Sequence, residues 1–384
     1  MGRSLLKILL LAAVVVLPVE AVSGVAVLML QRAGLIWTPP DLEGYDRFLA
    51  SRDPLLGWPD PTASSEGEFA SDGTRRDPSF PEPEEAPACV AVFGDSFTWG
   101  DEVGAGESYP AALGRSLGCR VANFGVPGYG TDQALLRYRD RVPSDAPVVV
   151  LGHYSGDIIR NVNRYRGFLT NTGFGMKPRF RIGSQGELEL IPPADLSARQ
   201  MRELGEHPEW LPHEFFFPGG EAGIVRRKLP FTTTAISVLG HYRLQARLNG
   251  VPSYQAFYAP DHPSRALEVT AGIARAFAQT ARARGQHPIL VLVPDEKDLI
   301  QAQSGLPLPY EPLIERAEAA GIEVVDGARA ALAALDGRAP CALYTRCGGA
   351  HFNPEGYAVL AQGLRSPIEG VLPIDAPDRR DATL

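Results

Sequence analysis

The chain is poor in features that would tie it to nucleic acid, nucleotides or metal. Only 21% of its 384 residues are charged, the net charge is -8, and no Lys/Arg cluster of the kind a phosphate-binding face needs is present. Nucleic acid is therefore not an expected partner, and neutral or small substrates fit better. The dinucleotide fingerprint G-x-G-x-x-G and the lysine of a phosphate loop are both missing. Apart from His153 and His351, the histidines show no metal-ligand spacing with cysteine or carboxylates, so neither a metal nor a cofactor is expected. No internal repeat occurs at the periods of solenoids or propellers.

What is present reads as globular: 45% of residues are apolar, while 34 prolines and 40 glycines concentrate in irregular connections. The N-terminal residues 1–37 stand apart. Arg3 and Lys7 precede an apolar run at 8–18, and a second run at 21–30 follows Glu20 and closes with Arg32 and Trp37. As one unit this is long enough to span a bilayer, with Glu20 as an awkward guest. As a signal peptide, residues 8–17 are its apolar region and Val19-Glu20-Ala21 a poor cleavage site. Both readings keep the basic end inside and place the rest outside the cytoplasm, at a periplasmic or extracellular face. There the four cysteines can pair. Cys341 and Cys347 could close a short loop before His351. Cys89 and Cys119 fall on expected neighbouring strands, as a disulfide or as buried free thiols.

Residues 38–86 are rich in Pro, Ser, Asp, Glu and Gly without apolar periodicity, and read as a linker. Residues 87–370 read as one domain. Short apolar runs at 88–93, 121–124, 148–152, 289–293 and 322–325, interrupted only by Asn123 and Glu323, suit strands buried on both faces. Helical stretches at 109–117, 131–138, 265–283 and 313–320 alternate with them, which predicts a parallel, doubly wound α/β sheet. The alternation stops over an insertion, 162–263, where 177–182 and 187–191 look like a β-hairpin. Its Trp210, Phe215, Phe216 and Phe217 suit packing or a sugar platform equally. The polar tail 371–384 is expected to be disordered.

In an open parallel sheet, ligands bind beyond the carboxyl ends of the strands. Three segments fall there. Phe93-Gly94-Asp95-Ser96-Phe97-Thr98-Trp99-Gly100 puts a hydroxyl on a glycine-flanked turn; Asn123-Phe124-Gly125-Val126-Pro127-Gly128-Tyr129-Gly130 leads into a helix capped by Thr131; and His351-Phe352-Asn353-Pro354-Glu355-Gly356-Tyr357 opens a helix with Asn353 as its cap. A serine needs a base, and its tetrahedral intermediate needs donors. Ser96 is the candidate nucleophile and His351 the candidate base, with the N–H groups of Ser96 and Gly128 as oxyanion donors and Asp95 as support for the turn. Singly, each piece has a plainer account: Gly-Asp-Ser is a common turn, and His351 could serve only helix entry. His153, which ends a strand, is a site residue or a satisfied core group.

Together the three segments resemble blocks I, II and V of the SGNH (GDSL-like) hydrolase superfamily, in the right order, over roughly 87–367. Leu56-Gly57-Trp58 resembles the membrane-anchored bacterial envelope members. The resemblance implies a flavodoxin-like three-layer α/β/α sandwich on a five-stranded parallel sheet, beside an N-terminal transmembrane helix. It also implies hydrolysis of an ester, often an acetyl group on a carbohydrate, or transfer of that group, so the expected partners are a small ester or acylated carbohydrate and the membrane. Two departures stand out. Gly156 occupies the block III place of the family's oxyanion Asn, with Tyr154, Ser155 and Asn161 as nearby substitutes. Gly348 occupies the place of the acid that normally orients the His, and no Asp or Glu lies between Gly337 and His351. A backbone carbonyl or a distant acid such as Asp326 must then hold His351. The alternative is a catalytically weakened module that binds or positions an envelope glycan.

Overall fold

A computed structural model describes residues 2–58, 68–80, 86–142, 144–170, 173–220 and 222–372, with side chains described from residue 14 onward. The expected disordered tail lies outside the described residues, except for 371 and 372, which end the last helix. Two compact units are interleaved in sequence: one comprises 1–50, 163–177 and 193–253, the other 51–162, 178–192 and 254–384.

The second unit holds a five-stranded, all-parallel sheet in the order β2-β1-β3-β6-β7: β1 Val90–Phe93, β2 Val121–Asn123, β3 Val148–Tyr154, β6 His287–Val293 and β7 Glu323–Asp326. β1 is buried throughout and β3 is buried except at Tyr154, which is why both read as unbroken apolar runs. Helices Tyr109–Leu117, Gly327–Leu335 and Pro354–Val371 form one packed group, and Thr131–Asp140, Ala266–Ala283 and Glu311–Ala319 form another, giving three layers. The chain turns left from β1 to β2 and returns rightward to β3, so the topological switch lies between β1 and β3, above their carboxyl ends. The hairpin expected inside the insertion is β4 Arg179–Ile182 against β5 Leu188–Ile191, antiparallel, and it belongs to this sheet unit. Residues 162–263 are thus not one inserted body.

The stretch expected to be a featureless linker, 38–86, is structured in most of its described part. Asp53 caps its own turn by accepting from the Leu55 and Leu56 N–H groups at 2.7 and 2.8 Å, and Gln133 holds the Leu56 carbonyl. The Arg75 guanidinium donates to the carbonyls of Trp99, Gly100 (3.0 Å) and Val103 (3.1 Å) and lies 4.7 Å from the Trp99 ring. Polar side chains gripping backbone replace the apolar periodicity that a sequence reading looks for. Both cysteine pairs are disulfides, Cys89–Cys119 and Cys341–Cys347.

The first unit contains the N-terminal helix Gly2–Arg32, whose stretch Val14–Arg32 has a mean hydropathy of 2.0 and is long and apolar enough to cross a membrane. A signal sequence meets the same criterion. Helices Phe231–Leu239 and Tyr242–Asn249 belong to the same unit.

Candidate active site

Ser96 begins the four-residue helix Ser96–Trp99 directly after β1. Asp95 caps it, its Oδ1 accepting from the Phe97 N–H at 2.9 Å, and the turn ends on Gly100 at φ 91. Block II comes so close to this turn that a Cβ on Gly125 would stand 2.3 Å from the Trp99 nitrogen, which leaves room only for glycine.

His351 arrives on the opposite arm. Tyr344 and Phe352 form an antiparallel bridge, the Thr345 N–H donates to the His351 carbonyl, and the Cys341–Cys347 disulfide closes the preceding loop. Asn353 caps the following helix by accepting from the Gly356 N–H at 3.0 Å. Tyr357, Leu360, Ala361 and Leu364 are buried along that helix, each Leu stabilising by about 1.5–3 kcal/mol. The Phe97 ring lies 4.8 Å from the imidazole and stacks at 4.7 Å on Tyr154, fixing the His351 ring plane.

The two arms bring Ser96 Oγ to 2.9 Å from His351 Nε2, with Ser96 only 5% exposed. Oγ also lies 3.5 Å from Asp95 Oδ2, which accepts from Arg160 Nη1 at 2.9 Å, so the imidazole is the nearer of the two acceptors open to the hydroxyl. Behind the ring, Glu102 Oε1 is 3.6 Å from Nδ1, and Glu102 Oε2 accepts from the His351 N–H at 3.4 Å and from the Thr345 hydroxyl. Burial works to raise the Glu102 pKa, but the Thr345 hydroxyl, the His351 N–H and the imidazole lower it below the usual carboxylate value. Glu102 is one of the few non-glycine residues at positive φ, 68°, a conformation typical of functional turns. Asp101 Oδ2 stands 3.9 Å from Nε2, and burial, opposed by His351, raises its pKa.

Asp326, the distant acid that the sequence suggested for His351, is engaged elsewhere. It caps helix Gly327–Leu335 through the Ala328 N–H and accepts from the Tyr310 hydroxyl at 3.0 Å. Glu102 was missed because the family pattern directs attention to the residues just before the histidine, whereas this acid comes six positions after the serine. A left-handed acidic residue on the nucleophile's own loop carries no periodic signal.

The substitutes suggested for the oxyanion Asn are also engaged. Tyr154 donates to Asp295 Oδ2 at 2.7 Å, Ser155 donates to the Tyr254 hydroxyl at 2.9 Å, and Asn161 donates to Thr270 Oγ1 at 2.8 Å. Arg160, which the sequence did not single out, is bonded to the residue that precedes Ser96. Its Nη1 contacts Asp95 Oδ2, the Tyr129 carbonyl and Asp157 Oδ1 at 2.7 Å. Burial alone would lower its pKa, but Asp157 and Asp95 carry it above the ordinary value. Gly128, at φ 82, turns block II beneath Trp58, whose Nε1 is 3.4 Å from a would-be Cβ. Among the described residues neither the Ser96 nor the Gly128 N–H has a hydrogen-bond partner.

Gly156 is glycine for a steric reason. A Cβ there would lie 2.4 Å from Tyr154 Cε1, inside a ring already stacked on Phe97. Gly348 has open space but φ 87, and its N–H donates to Glu296 Oε2 at 2.6 Å. Installing the family residues as Gly156→Asn with Gly348→Asp is therefore expected to destabilise by about 1–3 kcal/mol from overpacking, plus about 1–2 kcal/mol of backbone strain, with no gain in ester turnover. Thermal melts and a p-nitrophenyl acetate assay check this; a rise in turnover would show that the two glycines are defects.

His153 is fully buried rather than at the reaction centre. Tyr258 gives its proton to the Ser155 carbonyl, so His153 Nε2–H donates to Tyr258 and Nδ1 accepts from Thr131. Burial, then Arg160, lowers its pKa from 6.5 to about 3. Below pH 6.5 the unfolded chain binds a proton that the folded chain refuses, so this contribution to stability is complete above 6.5 and falls away as pH drops towards 3. Asp298, raised by burial to about 7, acts with the opposite sign and is common to parent and variant. Relative to the parent, His153→Gln should lose about 1.4 kcal/mol less stability per pH unit from about pH 6 to about pH 4. Urea unfolding of the detergent-solubilised chain at each pH checks it, and parallel curves would refute it.

The sheet unit is thus a doubly wound parallel α/β sheet that carries a serine–imidazole pair at the carboxyl edge of its first strand. Solved structures of hydrolases of the GDSL and SGNH type are among the chain's structural neighbours. A GDSL-like lipase from Bacteroides thetaiotaomicron aligns over 76% of this chain and 92% of its own, at 15% identity and TM-score 0.36. An acetylxylan esterase from Geobacillus stearothermophilus, solved as a catalytic mutant, aligns over 73% and 93% at 14% identity and TM-score 0.36. An alpha/beta hydrolase from the metagenome of Lake Arreo aligns over 74% and 97% at 14% identity and TM-score 0.38. No family model and no curated protein matches the sequence. The functional reading of this chain rests on its own residues.

Proposed function

We propose that this chain is a serine ester hydrolase or O-acyl transferase of the SGNH type, acting outside the cytoplasm on a small ester or an acetylated carbohydrate. The observation that carries the reading is the 2.9 Å contact between Ser96 Oγ and His351 Nε2, backed by Glu102. Ser96 Oγ attacks the ester carbonyl carbon as its proton passes to Nε2; the tetrahedral intermediate expels the alcohol, which takes that proton, leaving an acyl-serine. Water or a sugar hydroxyl then repeats the sequence on the acyl group, and this second acceptor decides between hydrolysis and transfer. Ser96 and Gly128 supply the backbone donors to the oxyanion, with Gly156 at the third, side-chain-less place. The Arg160 charge beside Asp95 replaces part of what the family's Asn would contribute, and Glu102 steadies the imidazolium. The disulfides support an oxidising location.

The missing Asn and Asp motivated a second reading, a weakened glycan-binding module. The Glu102 and Arg160 contacts weigh against it. A fluorophosphonate probe on the full chain should label Ser96, and p-nitrophenyl acetate should be turned over. Failure of both in folded protein would favour the binding module.

A further inference from the structure

An acidic residue within a bilayer-crossing run is costly unless it is partnered. Glu20 is partnered by the first turn of helix Phe231–Leu239: its carboxylate accepts from the Phe231 N–H at 2.5 Å, the Thr232 N–H at 3.1 Å and the Thr232 hydroxyl. Those N–H groups have no intrahelical acceptor, so Glu20 is the cap that the helix lacks in its own sequence, Pro230 being its N-cap residue. Ser23 Oγ adds a 3.1 Å bond to Thr232, and Gly24 lets the Phe231 ring pass 3.1 Å from where a Cβ would be. Further along, Val27, Leu35, Ile36 and Val238 close a small buried core.

Large apolar side chains are exposed here, beside the exposed Thr233 and Ser237 of the first helix and Gln245 and Arg247 of the second. Leu229 is 75% exposed, Ile236 and Leu239 61%, and Leu248 70%; on the N-terminal helix Val22 is 71% and Met29 65% exposed. Helix Phe231–Leu239 contains no charged residue, while exposed Arg227 and Lys228 precede it. From Glu20 to Arg32 is about 18 Å of helix, and the nine residues of Phe231–Leu239 span about 14 Å, close to one leaflet of a hydrocarbon core about 30 Å thick.

We propose that 229–248 is a membrane-bound hairpin whose first helix, Phe231–Leu239, is seated in the leaflet crossed by the C-terminal half of the N-terminal helix, while its second, Tyr242–Asn249, which carries Arg243 and Arg247, lies at the headgroups. Lipid acyl chains cover Leu229, Ile236, Leu239 and Leu248, and Arg227 and Lys228 sit against phosphate headgroups. The N-terminal helix is then retained in the mature protein, because cleavage at Ala21 would remove Glu20 and leave helix Phe231–Leu239 uncapped in lipid. This inference stands apart from the ester chemistry and survives or fails without it.

The test reconstitutes the full chain into phosphatidylcholine–phosphatidylglycerol vesicles, carrying Ile236→Trp or, separately, Leu239→Trp; both positions are exposed and tolerant of a large side chain. The fluorescence added over the parent should be quenched at least about twofold by acyl-brominated lipid and hardly at all by iodide, and the intact mass of the membrane-extracted chain should include residues 2–32. Quenching by iodide, or by neither agent, would overturn the inserted hairpin, and a mature chain that starts at Val22 would overturn the retained anchor.

Discussion

Ser96→Ala is expected to lower kcat for p-nitrophenyl acetate by at least about 10,000-fold and to abolish fluorophosphonate labelling. The variant removes the hydroxyl oxygen that stands 2.9 Å from His351 Nε2, the atom proposed to attack the carbonyl carbon. What remains is the slower reaction of water in the same cradle, aided by the Ser96 and Gly128 N–H groups, which the substitution leaves in place. His351→Ala should cost about as much, and the double variant little more, because nucleophile and base act as one unit and their losses are not additive. The fold should survive: loss of one hydroxyl bond is worth about 0.5–1.5 kcal/mol, and Asp95 still caps the turn through the Phe97 N–H. Retention of more than about 1% of parental activity by folded Ser96→Ala would remove Ser96 from the mechanism.

Glu102→Gln is expected to lower kcat by about 100- to 1000-fold, or about 3–4 kcal/mol of transition-state stabilisation, while KM stays within about twofold. The carboxylate faces Nδ1 rather than the substrate, so its effect falls on the imidazolium formed during attack and not on binding. The position is also left-handed, so backbone and charge need separating. Glu102→Gly relieves the φ of 68° and removes the carboxylate; it should lose as much activity as Glu102→Gln while melting no lower. Glu102→Asp should recover part of kcat. Wild-type kcat in Glu102→Gln would leave His351 without an acidic partner and restore the dyad reading.

Much of the sheet was legible in the sequence because its central strands β1, β3 and β6 are almost wholly apolar and buried; β2 and β7 carry Asn123, Glu323 and Asp326 and were found by the β/α alternation. The helix Tyr109–Leu117 matches its expected bounds, and Asn353 and Pro354 mark the start of the last helix in plain sight. Helix Gly327–Leu335, directly after β7, was not separated from its neighbours. The Ser96–His351 pairing was readable through local motifs, whereas the side chains around it were not. Glu102 reaches the site from a loop and Arg160 from the end of the four-residue helix Asp157–Arg160, both placed by tertiary contacts that no local pattern announces. The same holds for 68–80, where a polar composition without apolar periodicity conceals side chains that bind backbone. The interleaving of the two units is equally invisible, since the hairpin β4–β5 has the composition of its surroundings but packs with the sheet unit.

The Arg75 grip on Trp99, Gly100 and Val103 links the lifetime of the active conformation to a segment that contributes no strand to the sheet. Segments held by a few polar contacts open at lower free energy than a buried sheet. As temperature or urea rises, 68–80 should detach first, freeing the carbonyls that fix the end of the Ser96 turn and the loop bearing Glu102. Inactivation would then precede the melting of β1, β3 and β6, and its reversal would be as fast as the reclosure of a short loop rather than the refolding of a parallel sheet.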